Sequence, residues 1–158
     1  MDDLVITNIL RFVDQKTLIT TVNSVNPQFK RCAQSLIIIN AINFTLACQQ
    51  GDRSLIQWMI QQDADWWDRG LYGACQGGHR KLAELMIEKG ATNWNWGLEG
   101  ACQGGHWKLA EWMIELGATH WYKGLYGACQ GGHRKLAEWM IEKGATYCYN
   151  CGDIDKHR

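Results

Sequence analysis

The sequence predicts an all-α fold: a stack of four short helix pairs preceded by a small three-helix unit. Three observations lead there. Cys48, Cys75, Cys102 and Cys129 fall 27 residues apart, as do Met59, Met86, Met113 and Met140, which sets units at 44–70, 71–97, 98–124 and 125–151. Within a unit, two stretches of helical periodicity flank a turn such as Gly77-Gly78. The copies are also close: residues 71–92 and 125–146 differ only at Leu85 against Trp139, while the first unit, FTLACQQGDRSLIQWMIQQDADWWDRG, diverges most and keeps the frame. Such copying suits a structural brick, because a single active site has no reason to be triplicated.

Residues 1–43 carry a different pattern. Leu4, Val5, Ile9, Leu10, Phe12 and Val13, then Leu18, Val22 and Val25, then Phe29, describe three short helices, with Asp14 an N-cap and Asn26-Pro27 a break. In the units, the first helix is read from Leu71 to Gln76, too short to stand alone. The second runs from about Arg80 to Lys89, with Leu82, Leu85 and Met86 on one stripe beside Ala83 and Ile87, and Arg80, Lys81, Glu84 and Glu88 opposite. Gly90, Gly117 and Gly144 stand where a left-handed terminator is wanted, and Asp63 replaces them in the first unit. His79, His106 and His133 are placed to cap the second helices. Gly73, Gly100 and Gly127 lie inside the first helices, where glycine costs about 1 kcal/mol relative to alanine. Close approach of neighbouring backbones is the expected compensation.

A helix pair this small cannot bury two faces alone, so each unit is expected to shield the next, giving a solenoid. The last unit keeps Trp139, Met140 and Ile141 where a terminal unit should be polar, and only the polar tail 152–158 follows. That predicts self-association through the C-terminal repeat.

GLYGACQGGHRKLAELMIEKGAT, residues 70–92, resembles the ankyrin repeat: Ala74 and Cys75 inside the first helix, Gly78-His79 at the turn, then Leu82, Leu85, Met86, Ile87 and Gly90-Ala91. The resemblance extends over residues 44 to about 147. The period is shorter than the ankyrin unit's roughly 33 residues, and the loss falls after Ala91-Thr92, where that family has its projecting hairpin. Trp96-Gly97 and Lys123-Gly124 also replace the family's threonine-proline start. Shortened tryptophan-rich units of this kind are similar to those encoded by large DNA viruses of amoebae. Residues 1–43, in order and spacing, resemble an F-box. That resemblance implies that Leu4, Ile9, Leu10, Phe12, Val13 and Leu18 dock a cullin-ligase adaptor, making the chain a substrate receptor for ubiquitination of host proteins. The other reading keeps residues 1–43 as a helical cap and the whole chain as a repeat scaffold or spacer.

Sixteen basic and sixteen acidic residues cancel, so there is no electrostatic footprint for nucleic acid or an anionic membrane. The longest apolar run, Leu36 to Ile39, is far short of a bilayer span. Met1-Asp2-Asp3 does not open a secretory signal, so an intracellular location with reduced thiols is expected, in the host cytoplasm if the viral resemblance is followed. Cys75 with His79, and their copies, lack a recurring acid to orient the base, so no catalytic residue is assigned and the chain is read as non-enzymatic. Cys148, Cys151 and His157 supply three ligands where a closed zinc site wants four, so neither metal nor cofactor is assigned. Trp66, Trp67, Trp94, Trp96, Trp121, Tyr122, Tyr147 and Tyr149 fall in the shortened connection between units. They either fill the gap left by the lost hairpin or form an edge that binds a protein partner. Trp58, Trp112 and Trp139 replace a helix leucine and are assigned to the core.

Overall fold

The computed structural model describes residues 40–146. Among these residues there are eight helices and no strand: α1 Ala41–Gln50, α2 Arg53–Gln61, α3 Trp67–Gln76, α4 Arg80–Glu88, α5 Trp94–Gln103, α6 Trp107–Glu115, α7 Trp121–Gly131 and α8 Arg134–Glu142. None is long and apolar enough to cross a membrane. The adaptor-binding assignment to Leu4, Ile9, Leu10, Phe12, Val13 and Leu18 lies outside the described residues, as do Tyr147, Cys148, Tyr149, Cys151 and His157.

The helices begin and end for local chemical reasons. Asn40 accepts a hydrogen bond from the Asn43 amide at 2.8 Å, Asp52 from Leu55 at 3.1 Å and Asn93 from Trp96 at 3.2 Å, each satisfying an N-terminal amide that the helix leaves orphaned. After α4, α6 and α8 the chain turns through Gly90, Gly117 and Gly144 at φ 117°, 112° and 108°, and after α2 through Asp63 at φ 63°. These are the stops the sequence marks.

The first helices start earlier than their periodicity suggests. α3 begins at Trp67, four residues before Leu71, and α5 and α7 begin at the matching Trp94 and Trp121. Gly70, Gly97 and Gly124 therefore lie within helices instead of bounding them. Their bare Cα atoms make room for Met86, Met113 and Met140, whose side chains a Cβ at those glycines would strike. All three methionines are fully buried.

Each second helix packs on the first helix of its own pair, and successive first helices pack on one another, α1 on α3, α3 on α5 and α5 on α7. The approach between first helices is close. A Cβ on Gly73, Gly100 or Gly127 would fall on the carbonyl oxygen of Thr45, Tyr72 or Glu99, so the backbone contact expected to offset glycine's helix cost is present at all three. Ala47, Ala74, Ala101 and Ala128 continue this small-residue interface and are fully buried. On the second helices Leu82, Ala83 and Met86 are buried, while Leu85 and Ile87 are half-buried against the core.

In the last pair Met140 is buried against Gly124, while Trp139, stacked on Trp107 of the preceding pair, and Ile141 are half-buried. Two expectations need correction. The thiols are not uniform. Cys48, Cys75 and Cys102 are buried and free, whereas Cys129 is half-buried and disulfide-bonded. α7 is the last first helix among the described residues, and none of those residues gives Cys129 the following first helix that packs beside its counterparts. Trp58, Trp112 and Trp139 are half-buried at the second helices rather than enclosed in the core.

Candidate functional site

Near-identical units make their differences informative. Units 71–97 and 98–124 differ at seven positions: Tyr72/Glu99, Arg80/Trp107, Leu85/Trp112, Lys89/Leu116, Asn93/His120, Asn95/Tyr122 and Trp96/Lys123. Every one of these residues is exposed or half-buried, and none belongs to the buried core. Variation has therefore been confined to surface that solvent or a partner can reach.

The densest group of variable residues lies on the first helices. Positions three and seven residues apart share a helix face, so α3 presents Arg69, Tyr72 and Gln76, α5 presents Trp96, Glu99 and Gln103, and α7 presents Lys123, Tyr126 and Gln130. The tight glycine contacts bring these three sets side by side. Arg69, Tyr72, Trp96, Glu99 and Lys123 line a cleft of about 300 Å³. The Arg69 guanidinium lies 5.0 Å from the Trp96 ring and the Lys123 ammonium 5.6 Å from it, so an indole in the middle helix is held by cations from both neighbours. Lys123 also pairs with Glu99 at 3.3 Å, with side chains 24% and 20% exposed. Such a partly screened pair contributes about 1 kcal/mol or less, so its role is to fix positions rather than to hold the fold.

A hydrogen-bonded chain runs along the lower part of this face. The Tyr72 hydroxyl donates to Gln103 Oε1, Gln103 Nε2 donates to Gln130 Oε1 at 3.3 Å, and Gln130 Nε2 donates to the Tyr126 hydroxyl. Burial pushes the Tyr72 phenol above its ordinary range, with Glu99 and Tyr126 adding to the effect and Arg69 opposing it, so the hydroxyl stays protonated as a donor. The result is a surface of aromatic, cationic and amide groups held in place across three helices.

The aromatic residues expected in the connections divide into two groups. Trp67, Trp94, Trp96, Trp121 and Tyr122 stand in the first turns of helices, and only Trp66, at the N-cap of α3, precedes one. Trp66, Trp67, Trp94 and Trp121 pack against the core, the first two at 6.3 and 6.1 Å from the Phe44 ring. Through Phe44, Trp66 and Trp67 reach the preceding first helix, while Trp94 and Trp121 lie beside Gly117 and Gly144, which end their own helix pairs. Trp96 and Tyr122 are not part of that cluster; Tyr122 is 51% exposed and stacks on His120 at 5.6 Å. Trp96 is half-buried between Arg69 and Lys123, so of the residues assigned to the binding edge Tyr122 is the most exposed.

Several positioning residues escaped sequence reasoning. Asp68 Oδ1 accepts from the amides of Thr92 and Asn93 at 2.8 and 2.9 Å, and Asn95 Oδ1 accepts from Thr119 and His120, both at 2.9 Å. Each ties the loop entering the next pair to its predecessor. A short acceptor side chain recurring at the repeat interval was the available signal. The histidines do not cap their helices: His79, His106 and His133 occupy the N-cap position without a side-chain cap bond. His79 Nε2 instead lies 3.1 Å from the Gln49 carbonyl, and His106 Nε2 3.2 Å from that of Gln76, so each ring donates back to the preceding first helix.

The buried cysteines are not arranged as nucleophiles. Burial pushes the thiols of Cys75 and Cys102 up to about 12, and that of Cys48 higher still, while His79 is engaged with backbone. Among the described residues, no group of three or more His, Cys, Asp or Glu is placed to hold a metal ion. No family model and no curated protein matches the sequence.

Proposed function

We propose that this chain is a non-enzymatic protein-recognition module, in which residues 44–151 form an ankyrin-type solenoid and the first-helix face around Trp96 contacts a partner protein. One observation carries the reading. Units that agree at every buried position differ at the surface, and four of the varied residues, Tyr72, Trp96, Glu99 and Lys123, line one cleft. Tryptophan, tyrosine and arginine are the side chains enriched where binding energy concentrates, and here they are already held in place by neighbours, which lowers the ordering cost of association. In the fuller form of the proposal, residues 1–43 act as the F-box-like segment that docks a cullin-ligase adaptor through Leu10 and Phe12, and the repeat face selects the host protein to be ubiquitinated.

Affinity purification of the full chain from host lysate separates the parts. Adaptor and cullin subunits are expected with the native chain and absent with Leu10→Asp combined with Phe12→Asp. A further partner is expected to survive that change and to weaken by about tenfold or more with Trp96→Ala. Retention of no partner that depends on Trp96 would leave the chain a spacer or scaffold and overturn the recognition reading.

A further inference from the structure

The geometry points to a second binding site, a groove between α2 and α4 that accepts a tryptophan side chain from an acidic protein segment. The groove measures about 670 Å³, within the range of ligand-binding clefts. Its floor is apolar: Ile56 and Leu82 are buried, and Ile60 and Leu85 are half-buried.

The neighbouring second-helix interfaces show what belongs there. At the repeat interval the position of Leu85 is held by Trp58, Trp112 and Trp139. Trp112 lies under Arg80 of α4 at 4.4 Å, and Trp139 stacks on Trp107 of α6 at 4.7 Å. Between α2 and α4 the corresponding pair is Arg53 with Leu85, so the cation remains and the indole is missing. A buried tryptophan brings roughly 150 to 250 Å² of contact, and the space is shaped by a repeat that elsewhere holds that ring.

Charge selects the flanking residues of the occupant. Among the described residues, Arg53, Lys81 and Lys89 rim the groove without an ion-pair partner, whereas Glu84 on the same rim is already paired with Arg80 at 3.0 Å and Glu88 is the one lining carboxylate left to oppose them. Three unpaired cations against one unpaired carboxylate favour an anionic segment on either side of the ring.

The test is a titration of the full-length protein, followed by amide NMR shifts, with the peptide acetyl-Asp-Trp-Asp-amide. Acetyl-Lys-Trp-Lys-amide and acetyl-Asp-Ala-Asp-amide serve as controls. The acidic tryptophan peptide should shift residues of α2 and α4 and bind at least about tenfold more tightly than either control. Leu85→Trp, the residue present in the otherwise identical stretch 125–146, should fill the groove, raise the unfolding midpoint and weaken the peptide about tenfold or more. Lys81→Glu leaves the cavity open and should weaken the same peptide without a matching rise in stability. Trp96→Ala should leave this binding unchanged, which separates the groove from the first-helix face. Shifts located elsewhere, equal binding of the lysine peptide, or undiminished binding to Leu85→Trp would overturn the proposal. So would sedimentation showing that a second copy of the chain closes the groove.

Discussion

The interfaces between first helices and those between second helices are built on opposite terms. Between first helices the contact is made by backbone: Gly73, Gly100 and Gly127 meet the carbonyls of Thr45, Tyr72 and Glu99, with the same residue type on the glycine side each time. Between second helices long side chains face one another and change at every step: Arg80 lies over Trp112 and Trp107 stacks on Trp139, whereas Arg53 and Leu85 line an open groove. The first kind sets the spacing of the units, and it tolerates no side chain. The second bridges a distance already fixed, so its residues were free to vary into a cation on a ring, a ring on a ring, or an open groove.

If that division is right, Gly100→Ala has the largest effect. Helix propensity alone would make it stabilising by about 1 kcal/mol, but the added methyl must displace the Tyr72 carbonyl; overpacking costs about 1 to 3 kcal/mol, and because backbone has to move here the upper end applies, for a net loss of about 2 kcal/mol. Urea unfolding reads the sign directly; a gain would mean that backbone contact does not set the spacing. Asn95→Ala comes next. It removes the acceptor shared by the Thr119 and His120 amides, for an expected loss of roughly 1 kcal/mol. A loss as large as that of the glycine variant would show that side chains, not backbone, hold the units together. Smallest is Arg80→Ala, where the guanidinium over Trp112 contributes about 0.5 to 1 kcal/mol at an exposed site. A double-mutant cycle with Trp112→Leu isolates that term, and coupling well above it would place structural weight on the second-helix interface.

The second helices were readable because their signals are local: the stripe Leu82, Met86 and the stop at Gly90 need no knowledge of the neighbouring unit. The first helices were read short because Gly70 looks like punctuation in one dimension. Its role is to admit Met86, which lies 16 positions further along, and only the folded pair brings the two together. The same limitation hid the histidines, whose cap-like position is genuine while the side chain serves the previous helix, and the clamp by Asp68 and Asn95, which acts across more than twenty residues. The aromatic set was visible as a set; its division into Trp67, Trp94 and Trp121, packed on the core, and Trp96 and Tyr122, which are not, depends on where each helix begins. The significance of Leu85 against Trp139 was in plain view as the single difference between two long stretches, yet its meaning lies in the space beside it.

The recurring glycine and histidine joint has a genetic corollary. Since each junction is made from the same parts, unequal crossing-over between tandem copies can excise or insert a whole period and leave the ends of the cut compatible. An array of this design can gain or lose a whole period without inventing a new interface, because the surfaces on either side of the change are already complementary.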